Sequence, residues 1–134
     1  MSNQDSSFSE FKSKSGLKRI SSALCYSLAG LKTAWTHEHA FRQELMVAIP
    51  GFIVALLVPV SPVEKLLLIG VLVLVLITEL INSSIEAIVD RVSLERHPLS
   101  KNAKDLGSAA VLLAVLLAMA TWAVILLPLL IGRI

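Results

Sequence analysis

The stretch LLLIGVLVLVLITELINSSIEAIVDR, residues 66–91, decides the fold. From Leu66 to Ile85 it carries a single charge, Glu79, and is long enough to cross a bilayer. A carboxylate at that depth costs roughly 2.5–3.5 kcal/mol on insertion scales, so it requires a partner, a cavity or a task. Asn82, Ser83, Glu86 and Asp90 follow Glu79 at offsets of three, four, seven and eleven, which puts all five on one face of a helix. At about 1.5 Å per residue that face rises about 16 Å, roughly half the hydrocarbon thickness. The segment reads as a membrane-spanning helix with a polar pocket in one half.

Outward from this helix the chain stays apolar: 55% of its 134 residues are hydrophobic, too many for a soluble globule of this size. Two further apolar runs, Leu45–Val60 and Ser108–Ile131, give three candidate spans. The expected architecture is all-α, an integral membrane protein with three transmembrane helices at about 41–60, 65–90 and 101–131. The first run is short, so its helix is expected to borrow turns from Phe41 to Glu44 and to leave Glu44 near the interface. Pro59 and Pro62 close the turn that follows. Ser100 is the expected N-cap of the last helix.

Before the first span, Leu17, Ile20, Leu24, Leu28, Leu31 and Trp35 recur at steps of three and four. This predicts an amphipathic helix at about 16–36, lying in the bilayer surface or serving as a plain anchor. Residues 1–15 are expected to be a disordered lead, and 16–134 one membrane domain. No apolar segment follows Met1–Phe8, which argues against a cleaved secretory signal. Lys12, Lys14, Lys18, Arg19, Lys32 and Arg42 precede the first span, and Arg91, Arg96, Lys101 and Lys104 separate the second from the third. Only Lys65 and Arg133 fall on the other side. That asymmetry predicts a cytoplasmic amino terminus and puts the polar stripe on the cytoplasmic half.

Cys25 is the sole cysteine, so an intrachain disulfide and a thiolate metal site are both excluded. Lys101, Lys104, Asp105 and Ser108 share a face at the start of the last helix, at the depth of Asp90. Ala110, Ala114 and Ala118 form a small-residue seam further along, where another helix could approach closely. Glu79, Glu86, Asp90 and Asp105 thus gather at the cytoplasmic helix ends, with Glu38 and Glu44 arriving from the first. Carboxylates at this density repel unless protons or cations intervene. A hard divalent cation such as Mg²⁺, completing its shell with phosphate oxygens and water, resolves the repulsion and points to phosphate chemistry. Neither a P-loop nor a dinucleotide-binding glycine motif occurs, which argues against the common soluble kinase folds.

Plainer readings compete. Glu79 could pair with a base and merely pack helices, although Arg91 and Lys104 reach only Asp90 and Glu86. His37 and His39, two apart, point to different sides of a helix and read as interfacial histidines. Ser83 and Ser84 lack a neighbouring base and read as helix–helix hydrogen-bonding groups. An ion pathway is a rival of another class, but the outer half of every span is bare of ionisable groups, whereas a conductor needs them throughout. An assembly subunit would explain the alanine seam and leave the stripe without a role.

ELINSSIEAIVDR (79–91) and AKDLGSAA (103–110), with AWTHEHAFRQE (34–44), closely resemble the prokaryotic diacylglycerol kinase family. The likeness runs in register from about Leu17 to Leu127. It implies an ATP-dependent lipid kinase of the bacterial inner membrane, a homotrimer of three-span subunits that phosphorylates the primary hydroxyl of diacylglycerol to phosphatidic acid and binds no nucleic acid. By this resemblance Glu79 is the general base, Asn82 shapes the reaction centre, and Glu38 with Glu86 hold the Mg²⁺ of the nucleotide. Arg19, Tyr26, Glu38, Glu86, Asp90, Glu95, Arg96, His97, Lys104 and Asp105 fall where the family contacts ATP. Arg19, Trp35, Glu79, Ser108 and Trp122 fall where it borders the lipid. Undecaprenol kinases of the same family share Glu79, Asn82 and Glu86, while Phe41–Glu44 and Gly107–Ala110 look like the diacylglycerol branch. Ala29 departs from the lysine found in relatives.

Overall fold

The computed structural model describes residues 16–92, 95 and 97–132; the expected disordered lead at 1–15, and Arg96 with Arg133, lie outside the described residues. The described chain is helical throughout its elements: α1 (Gly16–His37), α2 (His39–Leu57), α3 (Pro62–Val92) and α4 (Pro98–Leu130). By length and composition α2, α3 and α4 are each able to cross a membrane.

The described residues fall into two compact units, divided between Thr33 and Ala34. In the first, α1 exposes its apolar residues Leu17, Ile20, Leu24, Leu28 and Leu31. Its serines satisfy themselves locally: Ser22 donates to the Lys18 carbonyl at 2.8 Å and Ser27 to that of Ala23 at 3.0 Å.

In the second unit α3 packs against both α2 and α4. Its buried residues are Leu68, Val71, Val75, Glu79 and Asn82, at steps of three and four, so one stripe serves packing first and chemistry afterwards. Against the apolar part of this stripe α4 sets Ala114, Ala118 and Ile125, and α2 sets Ala55. Ala114 and Ala118 are therefore consumed inside the chain, pressed on Val71 and Val75, while Ala110, the first residue of the seam, stays exposed. Trp122 ties the layer: its indole Nε1 donates to the Leu68 carbonyl at 3.2 Å while its ring packs between the two clusters.

The α2–α3 turn is fixed by reciprocal capping. Ser61 N–H donates to Glu64 Oε2 at 2.8 Å, and Glu64 N–H donates to Ser61 Oγ at 3.3 Å, with Pro62 at the first helical position. Lys65 Nζ reaches back 2.7 Å to the Leu56 carbonyl, satisfying an orphan acceptor at the end of α2. The N-cap of α4 is His97, not Ser100: its Nδ1 accepts from Leu99 N–H at 3.2 Å, and Pro98 starts the helix one turn earlier than the polar pattern implied. A proline whose φ is pre-set for the first helical position outweighs a serine two residues later. Gly132, at φ 66°, follows the C-cap Ile131 in the left-handed conformation that favours glycine.

Candidate active site

The helical break between α1 and α2 presents the first functional side chain. Glu38 adopts an extended conformation (φ −100°, ψ 111°) as the N-cap of α2, yet its carboxylate makes no capping bond. Arg42 holds the break open, donating to the Trp35 and Thr36 carbonyls at 2.8 and 3.1 Å and contacting His39 Nδ1 at 2.8 Å. The guanidinium thereby caps the end of the preceding helix and leaves Glu38 for other work.

Glu38, Glu44, Glu79, Asn82, Glu86 and Ser108 line one cavity of about 480 Å³, together with His37, His39, Ala40 and Val111. Glu79 is only 5% exposed and Asn82 9%. Glu38, Glu44 and Glu86 face the same cavity as Glu79. Asn82 Nδ2 donates to Glu86 Oε1 at 3.2 Å, one turn along α3. No ion pair of Glu79 forms among the described residues. Glu79 is a buried carboxylate among other carboxylates, which requires a proton or a cation nearby.

The carboxylates on the lining offer oxygen donors beside the imidazoles of His37 and His39, and among the described residues no three His, Cys, Asp or Glu side chains are gathered into a metal cage. A pair of carboxylates at an open cavity suits an ion that takes the rest of its shell from phosphate and water, which is the habit of Mg²⁺.

At the end of α3, Lys104 Nζ lies 2.7 Å from Asp90 Oδ1, so the start of α4 does sit at the depth of Asp90. Asp105 pairs with Lys101 on the same exposed helix face. Glu95 and His97 are exposed in the connection, and Arg96 lies outside the described residues. Arg19 and Tyr26 are exposed residues of the first unit. Trp35 is exposed and lends its carbonyl to Arg42. Ser84 does not bridge helices: its hydroxyl donates to the Leu80 carbonyl of its own helix at 2.8 Å.

A second cavity, of about 470 Å³, is apolar and lined by Val47, Gly51, Leu72, Val75, Met119 and Trp122 among others. Trp122 is thus placed here and not in the polar cavity. Glu44 lines both cavities, and its Oε2 is enclosed without a hydrogen-bond partner. The signal that could have placed it is its spacing from Phe41 and Ala48, which puts a carboxylate on the buried stripe of α2.

The model of the family described as prokaryotic diacylglycerol kinase matches residues 25–126. A protein of Pseudomonas aeruginosa named diacylglycerol kinase is 56% identical over 119 residues, covering 89% of this chain and 97% of the relative. One of Escherichia coli K12, with the same name, is 46% identical over 111 residues, covering 83% and 91%. A Helicobacter pylori protein so named is 44% identical over 107 residues, covering 80% and 84%. With a family match across most of its length and relatives this similar from end to end, the chain belongs to the prokaryotic diacylglycerol kinase family.

Proposed function

We propose that the protein transfers the γ-phosphate of ATP to the primary hydroxyl of diacylglycerol, giving phosphatidic acid at the cytoplasmic face of a bacterial inner membrane. The observation that carries this reading is the meeting of two cavities at Glu44. One is lined by carboxylates, the other by Val47, Leu72, Met119 and Trp122. A molecule with a polar head and an apolar body fits that pairing better than a soluble metabolite or a conducted ion. The family membership and the names of the relatives support the same substrate. The Lys and Arg asymmetry supports the cytoplasmic orientation.

Glu79 takes the proton from the lipid hydroxyl as the oxygen attacks phosphorus. Its burial on the packed stripe of α3 fixes the carboxylate in place, and positioning is most of what phosphoryl transfer asks of a protein. Asn82 holds Glu86 through its amide and so shapes the nucleotide side of the cavity. Glu38 and Glu86 would hold Mg²⁺, which when bound neutralises charge on the phosphate oxygens. Lys104, with Asp90, Asp105, Glu95 and His97, forms the nucleotide end. Trp35, Ser108 and Trp122 border the lipid. The working form is a homotrimer.

The test is a phosphorylation assay of the purified protein with ATP and Mg²⁺, offering diacylglycerol and undecaprenol side by side. Phosphatidic acid as the main product supports the reading. Preferential undecaprenyl phosphate formation would move the protein to the other branch of its family, and no lipid product would leave the ion-pathway or assembly alternatives.

A further inference from the structure

Gly107 is buried in α4, and it is the glycine at which α4 meets a polar side chain of α3. A Cβ built there would collide with Asn82 Oδ1 and lie 3.3 Å from Asn82 Cγ, but 3.8 Å from the Asn82 Cα. What occupies the space is therefore the tip of the carboxamide and not the α3 backbone. Elsewhere on the same face of α4, Ala114 and Ala118 stand against Val71 and Val75, so a methyl is accommodated wherever α3 offers a hydrocarbon. Only where α3 offers Asn82 is the methyl missing.

Asn82 Oδ1 is buried and has no hydrogen-bond partner. With no partner at that end, no hydrogen bond to the oxygen orients the side chain. The amide is oriented instead from its other end, by the 3.2 Å bond from Nδ2 to Glu86 Oε1, and by the shape of the slot that receives Oδ1.

We propose that Gly107 is a positioning residue: by lacking a side chain it forms the slot that seats the Asn82 oxygen and turns the Asn82 amide onto Glu86. This rests on the reading of the cavity as the kinase reaction centre. Gly107 touches neither lipid nor nucleotide in this account. It acts through Asn82 on Glu86, the way an outer-shell group orients a ligand. A methyl at this position expels the carboxamide or separates α3 from α4, and in both cases Glu86 loses its donor.

The experiment compares wild type, Gly107→Ala, Asn82→Ala and the double variant, in detergent or lipid nanodiscs. With ¹⁵N-asparagine labelling, the Asn82 side-chain resonance is identified by its loss in Asn82→Ala, and Glu86→Gln reports how it moves when the hydrogen bond changes. Gly107→Ala should shift the same resonance while that of Asn102 stays in place. It should also raise the Mg²⁺ midpoint of the reaction by about 10- to 100-fold, the range for outer-shell groups, with the lipid KM changed less than about twofold. In the Asn82→Ala background the slot is empty, so adding Gly107→Ala should cost no further thermal stability. If Gly107→Ala fails to fold in the wild-type background yet folds with Asn82→Ala, the coupling is established directly. An unmoved Asn82 resonance, or equal destabilisation in both backgrounds, would overturn the proposal and reduce Gly107 to general helix packing. Wild-type protein inactive on diacylglycerol would sink the functional reading, while the resonance would still decide whether Gly107 seats the amide.

Discussion

Lys104 Nζ sits 2.7 Å from Asp90 Oδ1 across the connection between α3 and α4, with both side chains substantially exposed. An exposed pair contributes little to stability. Its value in the proposed site is to hold a cation near the nucleotide end of the cavity. Lys104→Met is therefore expected to lower the melting temperature by no more than about 2 °C, in keeping with the small worth of such pairs, while raising the KM for ATP at least about 10-fold. Thermal unfolding and ATP titration on the same preparation check the split. Parallel loss of stability with an unchanged KM would make the pair purely structural.

The cation reading is tested at Glu38 and Glu86. Each faces the same cavity from a different helix or helix end. Glu38→Ala and Glu86→Ala should each raise the Mg²⁺ concentration for half-maximal activity, because removing either carboxylate opens the shell. A Mg²⁺ titration of both variants gives the answer. Midpoints equal to wild type would assign these glutamates to other duties.

At the opposite end of the bundle the Ser61–Glu64 capping box predicts a change without functional consequence. Ser61→Ala removes one acceptor of the first turn of α3 and should cost about 1 kcal/mol of stability. Activity per folded protein should be unchanged, since Ser61 lies at the far end of α3 from Glu79. Loss of specific activity at intact stability would contradict that assignment.

The homotrimer is tested by repair. If Glu79 of one subunit works with the Asp105 end of another, Glu79→Gln and Asp105→Asn subunits, unfolded together and refolded as a mixture, should regain a fraction of wild-type activity. Recovery no greater than that of the separately refolded variants would mean that each chain completes its own site. The faces involved are not those of Ala114 and Ala118, which are spent on α3 within the chain.

Much of this was legible in the sequence because a membrane span permits few readings. A carboxylate in an apolar run, followed by polar residues at helical spacing, placed Glu79, Asn82 and Glu86 on one face, and the fold puts them on one cavity wall. What escaped were features that depend on two elements meeting. The alanine spacing on α4 is the same whether the partner is α3 or another subunit, and only the packed structure gives Ala114 and Ala118 to α3. Ser100 has the chemistry of an N-cap, but Pro98 fixes the helix start before it. Glu44 is a carboxylate on the buried stripe of α2, and only the packed structure shows it standing between two cavities. Gly107 gives no sign of its packing against α3 until Asn82 is seen against it.

The central claim is that Glu79 is the base, and the most direct measurement is the phosphorylation rate of Glu79→Gln at saturating ATP, Mg²⁺ and diacylglycerol. The substitution keeps the shape of a side chain that is 5% exposed and removes its ability to take a proton. A fall in kcat of about 10²–10⁴-fold, with ATP binding little changed, is the predicted result. Turnover within a few-fold of wild type would contradict it, as would a proton or cation flux across liposomes carrying the wild-type protein that the same substitution abolishes.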